Sequence, residues 1–169
     1  MKIYYREKSG GIEILRCFGI EGRVEIPGMI DGKLVISAAP YAFSSHMDEK
    51  EELKNASLWE VSDGLEFGKE EHVLAGNDVE EMVFPYTLKE IGRYIFYGCG
   101  NLKKLEFSDS LMQIGCGAFT GCHALEKLTV HMRQGKKSGV KEMLGEMWQR
   151  IDVNFLYEYE ERCFKRNLL

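Results

Sequence analysis

Cys99, Cys116, Cys122 and His123 lie within 25 residues of one another and are of types that can hold a metal ion or attack a carbonyl. A zinc site needs its thiolates in close pairs of the C-x₂-C kind, so that two ligands leave one turn toward one point. No such pair occurs here, so no metal is expected. A thiol nucleophile needs a histidine that can reach its proton. His123 adjoins Cys122, but neighbours on a strand or tight turn point apart. His46, His72 and His131 belong to other parts of the chain. The carboxylate pairs Glu70-Glu71 and Glu80-Glu81 read as solvated charge runs. Asn55-Ala56-Ser57 has the glycosylation pattern, which acts only in a secreted chain. Neither a phosphate loop nor G-x-G-x-x-G follows a strand. The expectation is a protein that is not an enzyme and takes no cofactor.

The bulk properties set further bounds. The chain has 169 residues, 44% hydrophobic and 29% charged, which suits one packed domain. A formal net charge of −5 disfavours nucleic acid, which demands clustered positive charge. Five cysteines, an odd number, fit reduced thiols. Arg6, Glu7 and Lys8 interrupt the apolar start that an export signal needs, and Leu34–Met47 is too short and polar to span a bilayer. A cytoplasmic protein without membrane contact is expected, with a secreted or surface position as the alternative for a trimmed chain.

What would position any site is a repeat. Residues 84–102 align without gaps on 107–125, a step of 23 residues. Leu88/Leu111, Ile91/Ile114, Gly92/Gly115, Phe96/Phe119, Gly98/Gly121, Cys99/Cys122 and Leu102/Leu125 match. The pattern apolar-x-x-apolar-x-apolar recurs at the same step from Ala56, Val79, Leu102, Leu125 and Trp148. Its last two apolar positions alternate with polar ones, as in a half-buried strand. The step predicts one buried column of Trp59, Met82, Leu105, Leu128 and Ile151. A second should hold Val61, Phe84, Phe107, Val130 and Val153. Trp148 is also expected to face inward.

The segment Ile114-Gly115-Cys116-Gly117-Ala118-Phe119-Thr120-Gly121-Cys122-His123-Ala124-Leu125 resembles the repeat of the bacterial BspA-like leucine-rich-repeat family. Ile91–Leu102 matches with Ile95 in place of Ala, and Val24-Glu25-Ile26-Pro27 through Ala42-Phe43 resembles the family's first repeat. The resemblance implies an α/β, mostly β, solenoid of short parallel strands with about five or six rungs. Family members often look like surface or adhesion proteins. Residues 20–135 would hold the repeats, with an insertion at 44–56 carrying Asp48-Glu49-Lys50-Glu51-Glu52. Gly92 and Gly115 sit where the chain turns and are expected at positive φ.

The ends are read from local pattern. Ile3-Tyr4-Tyr5 and Ile12-Glu13-Ile14-Leu15 flank Ser9-Gly10-Gly11, which predicts a β-hairpin cap over residues 1–19. Residues 136–169 would form a C-terminal helix-strand cap. After a loop at 135–139, Val140, Met143, Leu144, Met147 and Trp148 recur at helical spacing, and Ile151-Val153-Phe155 gives a strand. The tail from Glu158 reads as a short helix.

The outward strand positions also repeat. One column is Leu58, Glu81, Lys104, Lys127 and Arg150; the next is Glu60, Val83, Glu106, Thr129 and Asp152. Such columns either form cross-strand ion pairs or dock a protein partner. A non-catalytic protein-interaction scaffold is the expected function, with Lys104, Lys127, Arg150, Glu81, Glu106 and Asp152 as its face. The alternatives are a surface adhesin, a regulatory domain sensing a ligand near 48–76, and a hydrolase or metal enzyme gathering Cys122, His123 and a carboxylate in one pocket.

Overall fold

Short strands joined by glycine-bearing turns dominate a computed structural model of the chain. It describes residues 1–61, 68–133 and 139–158, without the side chains of Glu146, Trp148 and Glu158. The expectations for Trp148, Cys163, residues 135–138 and the tail beyond Glu158 lie outside the described residues. In chain order the strands are β1 (Lys2–Lys8), β2 (Gly11–Gly19), β3 (Arg23–Glu25), β4 (Met29–Ile30), β5 (Lys33–Ala38), β6 (Ser57–Glu60) and β7 (His72–Val73). There follow β8 (Glu81–Val83), β9 (Glu90–Ile91), β10 (Lys104–Ser108), β11 (Gln113–Ile114), β12 (Lys127–Arg133) and β13 (Asp152–Glu158). The helices are α1 (Glu49–Glu52) and α2 (Val140–Leu144).

The repeat strands make a five-stranded parallel sheet in the order β3-β8-β10-β12-β13. Leu105 lies beside Met82 and Leu128, and Phe107 beside Val130, as the 23-residue step predicts. All five are buried. On the return side β5, β9 and β11 pair in parallel, and the β1–β2 hairpin extends that second sheet. The hairpin turns at Gly10, whose φ of 88° suits glycine. Between the two sheets Phe43, Phe96 and Phe119 stack in file, with centroids 5.6 and 6.0 Å apart and rings tilted by only 18° and 17°. One apolar core runs through the described residues.

Both ends of the expected register are corrected. Val24, not Trp59, lies beside Met82, because β3 fills the first place in the parallel sheet. β6 instead pairs antiparallel with β1, setting Trp59 opposite Ile3, and leaves Val61 exposed. The chain departs from the ladder after Phe43 and rejoins it at Gly76, whose N–H donates to Phe43 O at 2.8 Å. At the far end Leu128 pairs with Val153 and Val130 with Phe155, a step of 25 residues rather than 23. The return there is α2 followed by a 3₁₀ turn over Gly145–Gln149, with Gly145 at φ 57° ending the expected longer helix.

The glycines are also corrected in their reason. Neither Gly92 nor Gly115 has positive φ. A Cβ at Gly92 would meet Pro40 N at 2.4 Å, and one at Gly115 would meet Arg93 N at 2.2 Å. Close approach of successive rungs therefore demands glycine at both. Gly98 and Gly121, at φ 77° and 83°, supply the left-handed turns.

Candidate functional site

The outward face of the parallel sheet is built by strand alternation. Leu105 and Phe107 turn inward, so Lys104 and Glu106 turn out. The pairing places Arg23, Glu81, Lys104, Lys127 and Asp152 in one column. The next column is Glu25, Val83, Glu106, Thr129 and Asn154. Glu81, Lys104, Lys127 and Glu106 thus sit where the repeat predicts. Asp152 moves from the second column to the first, beside Lys127. Arg150 leaves the sheet: it follows the 3₁₀ turn, with its N–H donating to Met147 O at 2.9 Å. Leu58 and Glu60 lie on β6 in the other sheet.

The charges pair mainly along the first column, and Arg23 also reaches Glu25 of the second at 3.8 Å. Glu81 accepts from Arg23 at 2.9 Å and from Lys104 at 2.8 Å. Those bonds, Lys104's first, hold the Glu81 carboxyl below its usual range. Glu81 in turn raises the Lys104 ammonium. Lys127 and Asp152 are both exposed and form no ion pair among the described residues. Glu106 Oε2 lies 3.0 Å from His131 Nε2, whose ring also packs on Tyr86.

The thiols sit in a different setting. Cys99 Sγ donates to Phe43 O at 3.2 Å and Cys122 Sγ to Phe96 O at 3.3 Å, each reaching one rung back. Burial pushes both thiols up to about 12, and likewise Cys17. A cavity of about 400 Å³ is lined by Phe119, Gly121, Cys122, His123, Leu125, Met147, Arg150 and Ile151. That lining contains no carboxylate among the described residues, and Cys122 is committed to a carbonyl. The cavity thus brings Cys122 and His123 together without the carboxylate that the hydrolase reading places beside them.

Two polar centres escaped the sequence reading. Arg16 is 2% exposed on β2, and its Nη1 donates to Tyr41 O, Ala42 O and Ser44 O at 3.3, 3.1 and 2.6 Å. Its Nη2 lies 3.0 Å from Glu49 Oε1. Burial lowers its pKa, against the opposing pull of Glu49. Glu13, also buried, accepts from Arg6 Nε at 2.7 Å and from Ser37 Oγ at 3.1 Å. The available signal was a lone Glu and a lone Arg inside the apolar run Ile12–Phe18.

No helix among the described residues is long and apolar enough to cross a membrane. No curated protein matches the chain. A crystal structure of the Treponema pallidum leucine-rich-repeat protein TpLRR is similar at 22% identity and a TM-score of 0.36, covering 91% of this chain and 79% of that one. The sequence pattern described as the BspA type leucine rich repeat region (6 copies) matches residues 70–167. That match spans more than half of the chain and contains the stacked strands β8, β10, β12 and β13, so the chain belongs to the BspA-type leucine-rich-repeat family.

Proposed function

We propose that the chain is a non-catalytic protein-interaction scaffold whose docking face is the outward side of the parallel sheet. In this reading the repeats stack as a solenoid, which residues 44–75 leave and rejoin, between the hairpin cap of residues 1–19 and a C-terminal cap that contains α2 and β13. Leucine-rich-repeat domains serve in general as interaction scaffolds, and repeat stacks bind through an extended face. One observation carries the reading: Lys127 and Asp152 are adjacent, exposed and unneutralised by any ion pair among the described residues, beside the saturated Arg23–Glu81–Lys104 chain. Mixed charge of this kind suits a protein partner better than a polyanion. Glu106 flanks the patch, and Arg150, at the end of the 3₁₀ turn, lies outside the sheet that forms it.

The test pairs a pull-down from native cytoplasm with a charge reversal. Lys104→Glu with Lys127→Glu should weaken a partner at least roughly tenfold, about 1.4 kcal/mol. A partner bound equally well by the folded double variant would exclude this face.

A further inference from the structure

The return segments hydrogen-bond in one direction only. Tyr41 N and Phe43 N donate to Arg93 O and Ile95 O at 3.2 and 3.0 Å. One rung on, Tyr94 N, Phe96 N and Gly98 N donate to Cys116 O, Ala118 O and Thr120 O at 3.1, 3.0 and 2.9 Å. Every segment therefore offers amides at alternate residues to its C-terminal neighbour and carbonyls to its N-terminal one. The two ends of this ladder have opposite needs. At the N-terminal end, carbonyls lack a preceding rung, and the buried Arg16 guanidinium supplies the donors to Ala42 O and Ser44 O.

At the C-terminal end the repeat places the next amides at Gly117, Phe119 and Gly121. None of the three donates a hydrogen bond among the described residues. Beside Gly117 and Phe119 lies a cavity of about 390 Å³, lined also by Ile114, Ala118, Met143, Leu144 and Met147, while Gly121 lines the neighbouring cavity of about 400 Å³ with Phe119 and Met147. Phe119 carries Phe96 on one face and is only half-buried. The two preceding junctions define what fills such an edge: a chain presenting carbonyls at alternate residues, with an aromatic ring between the second and third.

We propose that the Gly117–Phe119–Gly121 edge binds a segment of a partner polypeptide folded in the same succession of turns as residues 93–98 and 116–121. The partner's alternate carbonyls accept from the three amides, and its apolar side chain sits on the Phe119 ring in the cavity. As in strand addition, backbone bonds give affinity and one side-chain pocket gives selectivity, although here the paired segments are turns rather than strands. The site is separate from the sheet face of Lys104 and Lys127.

The probe is a blocked synthetic peptide of residues 88–102 carrying Cys99→Ser, added to the full ¹⁵N-labelled chain. Amide exchange is read residue by residue. In the free chain the amides of Gly117, Phe119 and Gly121 should exchange at least roughly a hundredfold faster than those of Tyr94, Phe96 and Gly98. Saturating peptide should slow them at least roughly tenfold, and a Phe96→Ala peptide should bind at least roughly tenfold more weakly. Lys104→Glu/Lys127→Glu protein should bind the peptide unchanged, which separates this outcome from that of the sheet-face reading. Three amides already protected in the free chain would overturn the proposal. So would a millimolar peptide that leaves them unslowed, or one that protects β13 amides instead.

Discussion

Truncating Phe96 and truncating Phe119 should differ sharply, although the two occupy one repeat position. Phe96 is fully buried, has Phe43 on one face and Phe119 on the other, and meets Phe84 at 6.1 Å. Phe119 is half-buried and has one ring neighbour in the file. Full burial of such a side chain contributes about 1.5–3 kcal/mol, and each aromatic pair adds about 0.5–1.5 kcal/mol. Phe96→Ala forfeits all the burial and every pair, which places it at the upper end of the usual range, about 4–5 kcal/mol. Phe119→Ala forfeits part of the burial and one pair, about 2–3 kcal/mol. Urea unfolding followed by circular dichroism measures both. With a slope of about 2 kcal/mol/M, the midpoints should lie about 1 M apart. Phe96→Leu and Phe119→Leu form a milder pair that keeps the ranking measurable if Phe96→Ala is largely unfolded. A Phe119 variant as destabilised as its Phe96 counterpart would refute the stacking argument.

Gly115→Ala should cost at least about 1–3 kcal/mol by thermal unfolding, because its Cβ would fall 2.2 Å from Arg93 N. Gly32→Ala, at φ 76° with nothing within 4 Å, should cost only about 1 kcal/mol of backbone strain. Iodoacetamide at pH 8, read by peptide mapping, should label the exposed Cys116 first and leave Cys17 and Cys99 intact until unfolding, their thiols being buried and pushed up to about 12. Glu81 has a depressed folded pKa, so its contribution is present above the ordinary glutamate value of about 4.3 and fades as pH falls through the folded value. Glu81→Gln should abolish that acid-side loss, under about 1 kcal/mol for an exposed pair, and 1 M salt should shrink the difference. An unchanged stability–pH profile in Glu81→Gln would disprove it.

Why the middle of the lattice was legible and its ends were not follows from symmetry. Between Phe84 and Val130 the 23-residue step holds both inward alternation and strand pairing, so each residue's neighbours follow from its place in the repeat. At the last strand the step lengthens by two. A two-residue slip keeps every side chain on its face, so the apolar alternation of Ile151, Val153 and Phe155 fits either pairing. On the unshifted pairing Arg150 and Asp152 share the outward face; the shift moves Asp152 by one column and leaves Arg150 outside the sheet. At the first strand, Ala56, Trp59 and Val61 fell on the step by coincidence, while an amphipathic strand carries no mark of which sheet it joins or in which direction. Arg16 was missed because its role depends on carbonyls that the fold brings to it from 25 to 28 residues away.

The glycine column has a consequence for how such a chain can lengthen. Gly92 lies against the backbone of Ala39 and Pro40, and Gly115 against that of Gly92 and Arg93. Each rung therefore fits the one before it through a residue it brings itself. A duplicated stretch from Pro85 to Phe107 would arrive with its own glycine, its own phenylalanine for the file and its own amide–carbonyl polarity. Such a unit can be copied in tandem without any compensating change elsewhere. The first and last units cannot, since one is bound to Arg16 and the other has exchanged its return for a helix. Growth by internal duplication is thus confined to the middle of the gene, and length variation among descendants of this chain should come in whole multiples of the repeat there.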